Sequence, residues 1–120
     1  MKLLTAAERA RLLSNGQIRA QAERDKSDSV IDFYPVVKLF TPDAGCTWLL
    51  TEIDPDDTDL AFGLCDLGMG CPELGYVSLA ELSAVRGGLG LPVERDLHFR
   101  PSKTLSDYAT DARALGGISA

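Results

Sequence analysis

The sequence predicts an α+β fold in which a small antiparallel sheet of four to five strands packs against two to three helices. Helix-start patterns occur near both ends of the chain, whereas β-branched and aromatic residues are concentrated between them. The chain has 120 residues, 45% hydrophobic and 25% charged, as is usual for one globular domain. We therefore expect a single domain, residues 1–120, composed of an N-terminal helical segment (1–26), an antiparallel sheet (35–77) and a helix–strand–helix segment (79–115).

The N-terminal segment predicts a helix. Thr5-Ala6-Ala7-Glu8 has the form of a capping box, in which the Thr hydroxyl accepts from the amide three residues on and the Glu side chain reaches back. Leu12 and Leu13 supply core anchors on later turns. Asn15-Gly16 is a helix-stop signal, because both residues tolerate left-handed geometry. Residues 17–24 are then either a second helical stretch or a continuation of the first helix with a kink at Gly16.

Three segments predict the main strands of the sheet. Residues 35–40 begin with Pro35, where a missing amide does little harm. A turn at 41–45 leads to the second strand, 46–53, and an acidic loop leads to the third, 60–66. Two strands joined by so short a loop predict an antiparallel hairpin. Alternation places the larger residues of the third strand on one face, and its small residues on the other face leave room for a helix.

The second half of the chain continues with a short strand at 74–77 and two further helices. Ser78-Leu79-Ala80-Glu81 is a second capping-box pattern, and its helix is expected to end near Arg86. Residues 91–99 predict an extended segment. Thr104 begins the last helix, which runs to about Leu115 and stops at two glycines. The tail, 118–120, is expected to fray.

Charge is distributed very unevenly along the chain. Residues 28–81 contain eleven acids and one base, Lys38, within a protein of net charge −6. This balance disfavours general nucleic-acid binding, which depends on neutralising phosphates. An acidic surface on a small sheet instead suggests a binding protein with a basic partner. The predicted partner-binding residues are Asp54, Asp56, Asp57, Asp59, Glu73 and Tyr76.

The acidic loop at 54–59 has two other interpretations. One is a calcium-binding loop of the twelve-residue type that starts at Asp54. The match is poor, because the sixth position is not Gly and the twelfth position, where a Glu should bind the ion, is Cys65. It could also be a solubilising turn in which Asp side chains accept hydrogen bonds from local amides.

A second group of residues suggests metal or acid–base chemistry. If 91–99 is a strand, Glu94, Asp96 and His98 share one face and could ligate a metal or form an acid–base pair. The alternative is the polar face of an edge strand. A third possibility is nucleic-acid binding by the basic residues of the N-terminal helix, namely Lys2, Arg9, Arg11, Arg19, Arg24 and Lys26.

The remaining signals are those of an ordinary globular protein. The three cysteines, Cys46, Cys65 and Cys71, form neither a disulfide framework nor a zinc spacing and are read as reduced thiols. No nucleotide fingerprint is present, and we expect no cofactor. No apolar run approaches the ~20 residues needed to span a bilayer. With no signal peptide recognisable, a cytoplasmic location is expected.

Five blocks of the sequence resemble those of a domain-of-unknown-function family. They are PVVKLFTP (35–42), TWLLTE (47–52), AFGLCDLG (61–68), PELGYVSL (72–79) and LPVERDLHF (91–99). The resemblance extends from Thr5 to about Ala114, and the family's members are short proteins of bacterial plasmids, integrative conjugative elements and phages. It implies a cytoplasmic protein of a mobile element, without an assigned activity or catalytic residue. Because such elements carry small acidic proteins that blunt restriction or CRISPR defences, it also implies a counter-defence role.

The leading hypothesis is therefore a non-enzymatic interaction module. In this hypothesis the acidic surface binds a basic host or element protein that handles nucleic acid. A small metal-dependent enzyme centred on Glu94, Asp96 and His98 is the alternative, followed by a nucleic-acid-binding accessory protein.

Overall fold

The computed structural model describes residues 3–120. Five strands form one antiparallel sheet in the order β4-β3-β2-β1-β5, with three helices around it. The elements are α1 (Ala6–Arg24), β1 (Val37–Phe40), β2 (Thr47–Ile53), β3 (Leu60–Asp66), β4 (Glu73–Ser78), α2 (Leu79–Ala84), β5 (Glu94–Arg95) and α3 (Leu105–Leu115). The predicted α+β class and the β2–β3 hairpin are confirmed.

The sheet has a core on each of its two faces. Trp48 and Leu50 of β2 belong to one cluster of buried side chains, together with Leu12 of α1 and with Leu79 and Leu82 of α2. Leu49, which lies between them, belongs to the other cluster with Tyr108 of α3. Since successive side chains of a strand point to opposite faces, α1 and α2 cover one face and α3 covers the other.

The helix stop predicted at Asn15-Gly16 is wrong, whereas the alternative, continuation of the first helix beyond Gly16, is confirmed. α1 continues through both residues, and Gly16 is buried against β2. A Cβ atom at Gly16 would lie 1.8 Å from the carbonyl oxygen of Ile53. The Asn15 side chain donates a hydrogen bond to the Thr51 carbonyl (2.9 Å). Gly16 therefore serves the close approach of a helix to a strand, and it does not end the helix.

A β-bulge interrupts the hairpin beside this contact. Pairing of β2 with β3 shifts register between Leu50 and Glu52, and pairing of β2 with β1 does not extend past Leu50. At Gly63, which pairs with Leu50, a Cβ atom would lie only 2.0 Å from the Leu49 carbonyl oxygen. After the bulge Glu52 pairs with Phe62. The bulge thus places the Glu52 carboxylate on the same face as Phe62, which packs with the α3 cluster, and within reach of the Arg19 side chain of α1.

The extended segment predicted at 91–99 is much shorter in the structure. Only Glu94 and Arg95 form a strand, which pairs with β1. The Asp96 amide still donates to the Lys38 carbonyl (2.9 Å), but the chain then turns, and the His98 amide donates to Asp96 Oδ1 (2.9 Å). The regular alternation assumed for this segment therefore ends at Arg95.

The last helix and the tail are held by distant residues. α3 ends at Gly116, whose φ of 79° is left-handed, as the two glycines predicted. The frayed tail is not observed. The Ile118 amide donates to Asp66 Oδ2 (2.9 Å), and the Lys38 ammonium donates to the Ala120 carbonyl (2.8 Å). Within residues 3–120, no helix is long and apolar enough to cross a membrane.

Candidate functional site

A recess of about 140 Å³ lies between α1 and the β2–β3 hairpin. We call it the Glu52 recess. Its charged and aromatic lining residues are Arg19, Glu23, Glu52, Asp54, Asp56 and Tyr76. Three of these were predicted as partner-binding residues, and three were not.

Glu52 forms the buried wall of the recess. The strand register places it in one row with Phe62 of β3 and Tyr76 of β4. Its residue exposure is only 3%, and Arg19 Nε donates to its Oε1 at 2.6 Å. The other oxygen, Oε2, is buried without a hydrogen-bond partner among the described residues. A buried carboxylate oxygen without a donor is unfavourable, so this atom has unused capacity to accept a hydrogen bond.

Arg19 is held in place by three groups. Besides its bond to Glu52, its Nη2 donates to the Ile31 carbonyl (3.2 Å), and its guanidinium lies 5.8 Å from the centre of the Phe33 ring. The last two contacts come from the segment that precedes β1. Arg19 therefore fixes the orientation of Glu52 while occupying only one of its oxygens.

The acidic loop between β2 and β3 forms the outer wall of the recess. Asp54 Oδ1 accepts from the Asp56 amide (2.8 Å), and Asp57 Oδ1 accepts from the Asp59 amide (3.2 Å). These are local turns of the kind that Asp favours. Asp56 and Asp57 are exposed, and Asp54 is half-buried. The solubilising-turn interpretation thus describes the local bonding, but it leaves the exposed carboxylate oxygens facing outward.

Asp59 has a different role from its neighbours in the loop. It accepts hydrogen bonds from the Ser78 hydroxyl (2.5 Å) and from the Ala80 amide (2.9 Å). These two bonds lower the pKa of Asp59 below its usual value. Ser78 in turn caps α2 by accepting from the Glu81 amide (3.2 Å). Asp59 therefore fastens the hairpin loop to the start of α2.

Glu73 and Tyr76 do not act on the same surface. They are three positions apart on β4, so their side chains point to opposite faces of the sheet. Tyr76 stacks edge-on against Phe62, with 5.2 Å between the ring centres, and is 57% exposed. Partial burial raises the pKa of Tyr76, and the negative charges of Glu52 and Asp54 raise it further. The Glu52 recess therefore includes Tyr76 but not Glu73.

On the opposite face from Tyr76, burial raises the pKa of the Cys65 thiol to about 11, with a further contribution from the charge of Glu73. A thiol with so high a pKa is almost entirely protonated near neutral pH and is a poor nucleophile. The interpretation of Cys65 as an inert, partly buried side chain fits this environment.

An apolar recess of about 260 Å³ adjoins the Glu52 recess and shares Arg19 with it. Its apolar lining residues are Val30, Ile31, Phe33, Phe62, Leu74 and Leu105. Val30 is almost fully exposed and Leu74 partly so. Exposed apolar side chains thus lie beside the acidic recess.

Several acids of residues 28–81 are bonded within the fold, and two of them, Glu52 and Asp66, are buried, whereas Asp32 stays exposed. Asp43 Oδ2 accepts from the amides of Leu89 (2.7 Å) and Leu91 (3.2 Å). Asp32 accepts from the amide and hydroxyl of Ser106 at the start of α3. Asp66 holds the C-terminal tail. Charge counting along the sequence therefore overestimates the acidic surface.

The structure does not assemble the alternative sites. Glu94 is the first residue of β5, Asp96 follows the strand and pairs with Lys38 (3.5 Å), and His98 lies in the next turn. In the described part of the chain, no three His, Cys, Asp or Glu side chains are grouped as a metal site requires. The calcium interpretation of the acidic loop also has no such group to support it.

The basic residues of α1 do not form one stripe. Arg9 and Arg11 line two different cavities, and the charge of Arg19 is paired with Glu52. Arg24 donates to Gln21 near the end of the helix (2.6 Å), and Lys2 lies outside the described residues. This dispersal is unlike the continuous positive face that phosphate binding uses.

Three residues of the Glu52 recess were not predicted to bind a protein partner. Glu23 and Glu52 were assigned no role, and Arg19 was named only as a nucleic-acid-binding candidate. The position of Glu52 could have been used, because it is a charged residue within a largely apolar strand. A charged residue that is buried there needs an oppositely charged partner. Its pairing with Arg19, which is 33 residues away in the chain, had no local signal.

A protein-family model described as "Protein of unknown function (DUF2958)" matches residues 3–119. The chain belongs to this family. The match includes every residue of the Glu52 recess, and the family's description names no activity. No match was found among curated proteins or among solved structures.

Proposed function

We propose that this protein is a non-enzymatic interaction module that binds a basic partner protein. The docking surface would be the acidic rim, which we define as Glu23, Asp54, Asp56 and Asp57, together with the ring of Tyr76. The observation that carries the proposal is that three of these carboxylates, Glu23, Asp54 and Asp56, line one recess whose single arginine is already paired with Glu52. Asp57 is an exposed acid of the same loop. An acidic surface of this kind accelerates and orients association with a basic protein.

The apolar neighbourhood of the acidic rim also supports a protein partner. Tyr76 is exposed. The apolar recess, whose lining includes Phe62 and Leu74, adjoins the Glu52 recess that Tyr76 lines. Aromatic side chains surrounded by polar groups are common at the centres of protein interfaces. Asp59 and Glu73 are left out of the proposed surface, because Asp59 is bonded to the start of α2 and Glu73 faces the other side of the sheet.

Affinity capture from a cell lysate tests the proposal. The bait variant carries Asp54→Asn, Asp56→Asn and Asp57→Asn, which keep the acceptor oxygens of the local turns. A matched control neutralises the exposed acids Asp28, Glu94 and Asp107. We expect a basic partner that is retained by the wild type and by the control at about 50 mM salt, and lost at about 500 mM salt or with the rim variant. A captured set that is the same for all three baits and at both salt concentrations would refute the proposal.

We further propose that the partner is a nucleic-acid-handling protein. The motivation is the resemblance to proteins of plasmids, conjugative elements and phages, together with a carboxylate surface that can occupy a phosphate-binding site. Purified restriction nucleases and CRISPR effectors can be assayed for DNA cleavage with and without the protein. Inhibition by the wild type and by the control variant, but not by the rim variant, is expected for the true target. Equal inhibition by the rim variant would contradict an acidic-surface mechanism.

A further inference from the structure

The Glu52 recess supports a more specific inference, which rests on the proposed function. We propose that the recess receives the guanidinium group of one arginine side chain of the partner. The feature that distinguishes the recess from an ordinary acidic surface is Glu52 Oε2, which is buried, carries no hydrogen bond and belongs to a residue that lines the recess.

The bond to Arg19 leaves the second oxygen of Glu52 available. Arg19 donates through Nε to Oε1 only, and its Nη2 is directed to the Ile31 carbonyl. Bidentate pairing, in which one arginine uses both oxygens of a carboxylate, is therefore not formed at Glu52 by any described residue. A donor that bonds Oε2 need not displace Arg19 from Oε1, but the residues that line the recess must shift to admit it, because Oε2 is buried from solvent.

The charge of the recess selects a cation. Glu23, Glu52, Asp54 and Asp56 supply four carboxylates against the one guanidinium of Arg19. The direction of the pKa shift of Tyr76 agrees with this, since the charges of Glu52 and Asp54 help to raise it. A metal ion fits less well, because no three potential ligands among residues 3–120 are grouped tightly enough.

Size and shape favour arginine over a larger ligand and over lysine. The recess holds about 140 Å³, whereas pockets for drug-sized ligands hold roughly 300–1,000 Å³. One side-chain head group is the natural occupant. A planar guanidinium can bond several carboxylate oxygens at once and pack on the Tyr76 ring, which a compact ammonium does less well.

Peptide titration of the full chain tests this inference. The probes are acetyl-Gly-Arg-Gly-amide and its lysine and citrulline counterparts, followed by backbone amide shifts. We expect the arginine probe to move the amides of Gly16, Arg19 and Tyr76 and to saturate. The lysine probe is expected to bind at least about fivefold more weakly. The citrulline probe, which lacks the charge, is expected to leave the shifts unchanged.

Variants then locate the binding to the recess. Glu52→Gln is expected to weaken the arginine probe roughly tenfold, because the charge-assisted bond to Oε2 is lost. Tyr76→Leu, at an exposed position that does not threaten folding, is expected to weaken it at least about threefold. Asp57→Asn is the matched control, since Asp57 belongs to the same loop but does not line the recess, and it should change the affinity less than twofold.

The outcomes separate this inference from the proposed function. If the arginine and lysine probes bind equally, and Asp56→Asn and Asp57→Asn weaken them equally, only diffuse charge is at work and the inference is overturned while the acidic surface stands. If lysate capture is insensitive to the rim variant, the proposed function fails, whatever the peptide titration shows.

Discussion

Among residues 3–120, two carboxylates each keep one buried oxygen without a hydrogen bond, and the two side chains differ in their surroundings. At Asp43, Oδ2 accepts two amides of the 87–91 loop, and Oδ1 lies against Gly87, where a Cβ atom would come within 1.6 Å of it. At Glu52, Oε1 accepts from Arg19, and the side chain lines an open recess beside the exposed Tyr76.

The comparison shows that a buried carboxylate can stabilise the fold in one place and line a surface recess in another. Asp43 closes a loop, and the chain itself fills the space around its second oxygen. Glu52 is fixed by one arginine but retains a free acceptor at a recess. A buried carboxylate with an unused oxygen therefore suggests function only where the side chain borders an open recess.

The largest effect is expected from a change that separates α1 from β2. Gly16→Ala places a methyl group against the Ile53 carbonyl and should lower the free energy of unfolding by about 2–3 kcal/mol. Helix propensity alone predicts the opposite sign, a gain of about 1 kcal/mol. Urea denaturation measures the difference, with Ser14→Ala on the exposed side of α1 as the control. A Gly16→Ala variant as stable as the wild type would show that the close contact is not required.

Asp43→Ala should lower the free energy of unfolding by about 2 kcal/mol, because two amides of the 87–91 loop lose a charged acceptor. Asp28→Ala, at an exposed position, is the control and should stay within about 0.5 kcal/mol of the wild type. Thermal and urea unfolding of both variants would measure this. If the two variants are equally stable, Asp43 does not stabilise the closure of the 87–91 loop.

Glu52→Gln tests the contrast between Asp43 and Glu52. It should change the free energy of unfolding by less than about 1 kcal/mol. The amide oxygen can still accept from Arg19, and the cost of burying a charge is relieved. The same denaturation assay applies. A loss as large as that of Asp43→Ala would place Glu52 with the carboxylates that the fold itself requires.

The smallest expected effect is a pH dependence at Asp59. Its pKa is lowered in the folded protein from an ordinary value of 3.8, chiefly by the Ser78 hydroxyl. The stability that Asp59 contributes is therefore present above pH 3.8 and is lost as the pH falls through the folded-state pKa. Carboxyl ¹³C titration should show the pKa of Asp59 rising toward 3.8 in Ser78→Ala. An unchanged titration would mean that this hydrogen bond does not shift the pKa.

Much of the fold could be predicted because its signals are local. The Thr5 capping box, the strand from Leu60 to Asp66 and the final helix with its glycine stop depend on neighbouring residues. The prediction failed where a distant partner overrides a local preference. Gly16 resembles a helix stop but is used for packing, and the tail after Gly117 is held by Asp66.

The candidate site was predicted only in part, for the same reason. Asp54 and Asp56 stood out as acids and Tyr76 as an aromatic residue beside acids, and the structure places all three at the recess. Glu73 was grouped with them by composition, although strand alternation places it on the opposite face. Arg19 was assigned to a basic helix face, but it belongs to the Glu52 pair.

By itself, the sequence determined the α+β class, the hairpin and most element boundaries, because capping and alternation act over a few residues. Only the tertiary structure decided which acids are bonded within the fold and which remain open. That choice depends on the bulge after Leu50 and on the approach of α1 at Gly16. Both bring together groups far apart in the chain, and the energy of a carboxylate depends on what surrounds each of its oxygens.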